Sequence, residues 1–276
     1  MTTDAAATDA RSGPRRFVPP PRHAVGAHCF AHPMYADIAG FADLLVGSRW
    51  PTVAELDARL AVPGLQLVLQ DDLLLADGLH YEVRIAQGRL ATRACNWHDL
   101  FNALAWARHP QLKRALNAQQ CLHIAAQPPG QRSRAQAALT QFDESGVVVR
   151  VQEPAVLAAW DRHDWRALFD PQPWRSGRVS VVAVFGHALM EQGLLPGRLL
   201  VGKAVVVVGE DDETSLDAVA CAVREGRALT DPLQLRPLPL AGIPGWHGVQ
   251  DAAFHDNVDY FRPLREGRTY PAPLRA

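Results

Sequence analysis

Lysine is nearly absent from this sequence: Lys113 and Lys203 are the only two, and arginine carries the rest of the positive charge. That is a bias of composition to which no function attaches. Neither sign of charge is in excess, since 28 Lys and Arg stand against 29 Asp and Glu for a formal net charge of -1. A near-neutral surface has no long-range field to concentrate a polyanion, which argues against a nucleic-acid partner. Cysteine is sparse too. Cys29, Cys95, Cys121 and Cys221 lie far apart with no Cys-x-x-Cys pair, so a dense disulfide framework is excluded and reduced thiols are expected. No window reaches the roughly 18 to 20 apolar residues that span a bilayer. Met1 to Ala10 lacks the basic-then-apolar order of a secretory leader. The expected setting is the cytoplasm, with no membrane partner.

Familiar catalytic signatures are also missing. There is no Gly-x-Ser-x-Gly elbow, no His-Glu-x-x-His helix and no Gly-x-Gly-x-x-Gly turn. Gly197-x-x-x-x-Gly202-Lys203 imitates a phosphate loop, but Ala204 replaces the hydroxyl that would hold magnesium, and the segment leads into an apolar strand pattern rather than a helix.

What is present is an ordinary globular composition, 48% hydrophobic and 21% charged over 276 residues. That length is close to the upper size of one core, and a single domain is expected. Residues 1–27, with Val18-Pro19-Pro20-Pro21, hold too little apolar surface to offset ordering and read as an arm, which leaves 28–276 as the globular part with a loop-rich tail from about 238. Patterning predicts helices over 35–46, from Thr52-x-x-Glu55, over 97–108 and 111–124 around Pro110, over 154–160 and 163–169, from His187, and over 215–224. Strands are predicted at 65–69, 179–184 and 204–208. The alternation in 80–85 suggests a hairpin with the segment from Leu90. A second hairpin is predicted from 137–142 and 147–151 around Asp143-Glu144-Ser145-Gly146. The fold class is α+β, a mixed sheet with flanking helices, with α/β as the alternative.

Four groups of residues could carry chemistry. His23, His28, Cys29 and His32 are ligand types, but their spacing fits no zinc finger or ribbon, and incidental histidines account for them more simply. Arg93-x-x-Asn96-Trp97-His98-Asp99-Leu100-Phe101-Asn102 opens a helix on which Trp97, Leu100, Phe101 and Leu104 share one side while His98, Asn102 and His109 share another. Asn96 suits a cap, and Asp99 suits the positive end of the helix. His187 and Glu191 lie one turn apart, directly after a strand, where a helix amino terminus favours a neutral imidazole. Asp143 and Glu144 could bind a divalent cation or simply form a turn. His163-Asp164 and Phe254-His255-Asp256-Asn257 are further polar pairs that could reach a shared pocket.

Taken together, these motifs resemble a bacterial family of unknown function, numbered 3025. The resemblance runs through Tyr81-Glu82-x-Arg84-Ile85, Asn96-Trp97-His98-Asp99-Leu100-Phe101-Asn102-Ala103-Leu104, Ala138-Leu139-Thr140-x-Phe142-Asp143-Glu144-x-Gly146, Phe185-Gly186-His187-Ala188-Leu189 and Pro239-Leu240-x-Gly242-Ile243-Pro244-Gly245-Trp246. Ala91 stands where that family often has proline. The resemblance implies one module from Tyr81 to Arg262 and no assigned reaction.

The functional expectation from the residues is an acid-base or divalent-metal-assisted hydrolase of a small polar or anionic substrate. His98, Asp99, His187 and Glu191 would be catalytic, Arg93 and Asn102 would bind substrate, and Asp143 and Glu144 would hold the metal. The alternative is a non-catalytic protein that binds a small ligand or partner in a pocket framed by tryptophan.

Overall fold

A computed structural model describes residues 17–128 and 130–276. Its centre is a five-stranded mixed sheet in which β3 (Gly146–Val151) lies between β4 (Val179–Val184) and β5 (Val201–Val208), and β5 carries β6 (Arg236–Pro239) and the short β7 (Leu274–Arg275). β3 runs antiparallel to β4 and parallel to β5; β6 is antiparallel and β7 parallel to β5. Every residue of β3 is buried. The period-2 pleat sends Val147, Val149 and Val151 into the larger core with Trp97, Phe101 and Trp160, while Val148 enters a second core with Leu116, Leu139, Phe142 and Val219. Helices therefore cover both faces, an α+β arrangement in a single domain.

Helices that carry unambiguous end signals form where expected. Thr52 and Glu55 make a reciprocal capping box on Val53–Leu60, Asn96 caps Trp97–Arg108, and Pro110 opens Pro110–Ala126. The helix Asp212–Arg224 starts three residues before its predicted position because Asp211 caps it. The 35–46 segment is mainly a 3-10 turn, Pro33–Phe41, with one α turn after it.

Both predicted hairpins are corrected. Residues 81–86 form the helix Tyr81–Ala86, capped by the His80 ring and closed at Gly88, where φ is +82°. The helix is the crossover that lets β1 (Gln66–Leu69) pair parallel with β2 (Arg89–Thr92). Its apparent alternation fails because the consecutive residues Arg84 and Ile85 are both buried, Arg84 with its charge on Asp77 at 2.7 Å. Residues 134–145 are likewise a helix, Arg134–Ser145, opened by a Ser133/Gln136 capping box. Ala138, Leu139 and Phe142 bury on one helical face, so Asp143 and Glu144 belong to the last helical turn rather than to a hairpin tip.

The amino-terminal arm is corrected over its described part, while residues 1–16 lie outside the described residues. Arg22 is buried, donates from Nη2 to Leu44 O at 2.7 Å and lies 4.7 Å over the Trp50 ring, and Trp97 Nε1 donates to Pro20 O at 3.0 Å. Apolar content was a poor guide here because a guanidinium seated on carbonyls and indoles provides the anchoring. The tail from 238 is largely loop and mostly exposed beyond Ile243, anchored by the buried Tyr260 and Phe261, with Tyr260 Oη donating to Leu200 O at 2.7 Å. Among the described residues no helix is long and apolar enough to cross a membrane.

Candidate functional site

Two backbone junctions build the site. The helix Arg134–Ser145 passes into β3 with no loop, and Gly146 O accepts from both Phe185 N and Gly186 N at 2.9 Å as β4 leaves the sheet. Because β3 and β4 are antiparallel, the end of that helix, with Asp143 and Glu144, meets the start of the helix His187–Gln192. Glycine is required at Gly186: a Cβ there would lie 2.6 Å from Gly146 N and still closer to Ser145 Cα. The strand before His187 is antiparallel to its neighbour, so the crevice rule for parallel sheets does not explain the location.

The first turn of Trp97–Arg108 packs against this junction and completes a cluster. His98 Nε2 and His187 Nε2 are 3.0 Å apart, and Glu144 Oε2 lies 3.6 Å from the latter and 4.0 Å from the former. Each imidazole has a carboxylate behind it. His98 Nδ1 donates to Glu191 Oε2 at 3.3 Å, and His187 Nδ1 faces Asp143 Oδ2 at 3.7 Å. Asp143 Oδ1 in turn accepts from Lys113 Nζ at 2.7 Å. Lys113 is buried beneath the cavity, donates also to Asn102 Oδ1 at 2.6 Å, and lies over the rings of Trp106 and Phe185. With its oxygen occupied, Asn102 donates from Nδ2 to Tyr81 Oη at 2.8 Å.

These groups line one cavity of about 400 Å³, whose wall continues past Glu82, Asn117 and Gln120 toward Arg132. Glu191 stands behind His98. Asp99 belongs to the wall, but both its oxygens are taken by Arg93, which donates from Nη2 at 2.7 Å and from Nε at 3.0 Å while its backbone N–H donates at 2.6 Å. Asp99 thus fixes the guanidinium, and the half-exposed Arg93 lines the cavity.

Protonation follows from these surroundings. Burial pushes His187 down to about 3, so the ring is neutral at ordinary pH. Burial would also lower His98, yet its hydrogen bond to Glu191 and the charges of Glu144 and Glu191 outweigh it and raise the imidazole above its usual value. Desolvation raises Glu144, partly offset by His98. Asp143 is opposed by its burial, but Lys113, through its charge and hydrogen bond, holds it below the usual carboxylate range. Burial raises Glu82 and lifts Tyr81 well above the ordinary phenol range, so Tyr81 keeps its proton.

Of the residues singled out from sequence, His98, His187, Glu191, Asp143, Glu144, Asn102, Arg93 and Asp99 all converge here. The others do not. His109 is buried against Asp37 and Phe185, and His163 holds the tail through Arg262 O at 3.0 Å. His255 bonds to Asp251 O, and His32 donates from Nε2 to Trp246 O at 2.8 Å while Cys29 and His28 sit together elsewhere on that segment. Among the described residues, His98, Glu144 and His187 are the one trio of ligand-type side chains grouped at metal-binding distances. Sequence reasoning missed Lys113, Tyr81, Glu82 and Asn117. The available signal was Lys113 itself, a rare lysine between Leu112 and Leu116 on a helix face that turns out to be buried.

Searches of curated proteins and of solved structures return no match to the chain. A family model does match, over residues 65–265, a span that contains every residue of the cavity wall and the cluster behind it. The chain belongs to the family described as protein of unknown function (DUF3025).

Proposed function

We propose that this protein is a hydrolase of a small polar or anionic substrate, with water activated beside His98, His187 and Glu144. One observation carries the reading: imidazoles and carboxylates from three separate helices meet at 3.0 to 4.0 Å at the wall of a cavity of about 400 Å³. A pocket of that size suits a metabolite rather than a polymer. Glu144, raised and half-exposed, is placed to take a proton from water. His98, hydrogen-bonded to Glu191 and raised above its usual value, is placed to give one to a leaving group. Asn102 and the Tyr81 hydroxyl offer polar contacts to substrate, and Arg93, oriented by Asp99, offers an anion clamp in the cavity wall. The four cysteines are free, which fits a reducing, cytoplasmic setting.

The test is a panel of esters, amides and phosphoesters assayed with wild type, Glu144→Gln and His98→Ala. Turnover should fall by about 10²- to 10⁴-fold in each variant while the melting temperature is kept. Undiminished turnover in both variants contradicts the proposal. Ligand binding without turnover across the panel would replace it with a binding-protein reading.

A further inference from the structure

We infer that His98, His187 and Glu144 form a divalent-metal centre of the zinc type, in which Glu191 and Asp143 orient the two imidazoles and one coordination position opens onto the cavity. The inference concerns the same site as the proposed hydrolase but does not depend on turnover.

Distance is the first argument. Donors about 2.0 to 2.1 Å from a tetrahedral ion lie about 3.3 Å from one another. The three separations here, 3.0, 3.6 and 4.0 Å, straddle that value, so shifts of a few tenths of an ångström would seat an ion. Tautomer choice is the second. Glu191 holds the Nδ1 proton of His98, and Asp143 stands opposite Nδ1 of His187, so both rings turn Nε2 toward each other and toward Glu144. At 3.0 Å the two Nε2 atoms need a proton or a cation between them, a place that a metal ion can take from a proton on His98. A carboxylate behind each ligating histidine is the usual outer support of a metal site.

Charge is the third argument. Asp143, Glu144 and Glu191 surround the imidazoles with only Lys113 to balance them, which leaves about two negative charges for a divalent ion to neutralise. Asp143 and Glu144 also occupy the last turn of their helix, the negative pole, where carboxylates are disfavoured and a cation is favoured. Finally, His187 is 3% exposed, and its Nδ1 has no hydrogen-bond partner among the described residues, an imperfection that a small tightening around an ion would remove. Two nitrogens and one oxygen select zinc or a neighbouring transition ion over calcium or magnesium, which take oxygen ligands. Three protein ligands leave the fourth position for water or substrate.

The experiment is titration of chelator-treated full-length protein with Co2+, followed by its visible absorption, and with Zn2+ by competition. One equivalent should bind with the intense bands of a tetrahedral Co2+ site. Glu144→Ala, a half-exposed position whose change spares the core, and His98→Ala should each lose at least about 100-fold in affinity. Glu191→Gln should lose about 10- to 100-fold with stoichiometry kept. His163→Ala, outside the cavity, should bind as wild type does. Folded wild type that takes up no stoichiometric Co2+ or Zn2+ overturns the inference, as does uptake unchanged in Glu144→Ala and His98→Ala. The two readings separate cleanly: metal uptake without hydrolysis sinks the hydrolase alone, and hydrolysis by protein that takes up neither Co2+ nor Zn2+ sinks the centre alone.

Discussion

Acid should destabilise the metal-free protein through His187. In the fold this imidazole sits at about 3 rather than the ordinary 6.5, because burial disfavours its charged form. Below pH 6.5 the unfolded chain binds a proton at His187 that the folded chain refuses, so stability falls as pH drops from 6.5 toward 3. The slope is about 1.4 kcal/mol per pH unit and the full loss up to about 5 kcal/mol. His98 acts in the opposite sense: its folded value is raised, so its contribution is complete below 6.5 and is lost as pH rises through the higher folded value. Asp143 joins only in stronger acid, since its lowered value means a contribution present above the ordinary carboxylate range and lost as pH falls through the folded value. A loss of several kcal/mol is comparable to the whole stability of a typical domain, so acid unfolding should set in near about pH 4 to 5. Urea unfolding of chelated wild type and His187→Gln at steps between about pH 7 and pH 5 measures this. The variant should show a clearly shallower dependence, with a residue from His163, which burial also lowers. Parallel pH curves for the two proteins would show that His187 is not buried as a neutral ring.

Lys113→Met should cost about 3 to 5 kcal/mol, because it leaves the Asp143 carboxylate without its partner, and adding Asp143→Asn should recover much of the loss. Equal urea midpoints for the single and double variants would mean that the ion pair is not what Lys113 contributes. Gly186→Ala should destabilise by about 1 to 3 kcal/mol or more, since the new methyl group meets backbone at Ser145 and Gly146. A melting temperature matching wild type would contradict the close approach of these two junctions.

Legibility from sequence depended on whether local signals competed. Trp97–Arg108 and Pro110–Ala126 were readable because Asn96 and Pro110 mark their starts, and β5 because an unbroken valine run admits few alternatives. Arg134–Ser145 was misread because Asp143-Glu144-Ser145-Gly146 has turn composition, while the capping box at Ser133 and the buried Ala138, Leu139 and Phe142 spoke for a helix. Tertiary packing decided between them. Tyr81–Ala86 failed similarly, because a buried arginine looks like a solvent-facing one in sequence. The polar residues of the site were visible by type, yet their duties were not. That Asp99 spends itself on Arg93, or that Asp143 points to Lys113, depends on which oxygen meets which donor, and no spacing rule contains that information.

The loop-free passage from helix to strand at Ser145 and Gly146 couples two different periodicities in one continuous rod. An extra residue in the helix would swing Asp143 and Glu144 by about 100° about its axis, and an extra residue in β3 would swap the valines facing the two cores. Neither error has slack in which to dissipate. Length changes in this protein can therefore be absorbed only outside that rod, and grafting the site onto another scaffold would mean transplanting the junction whole.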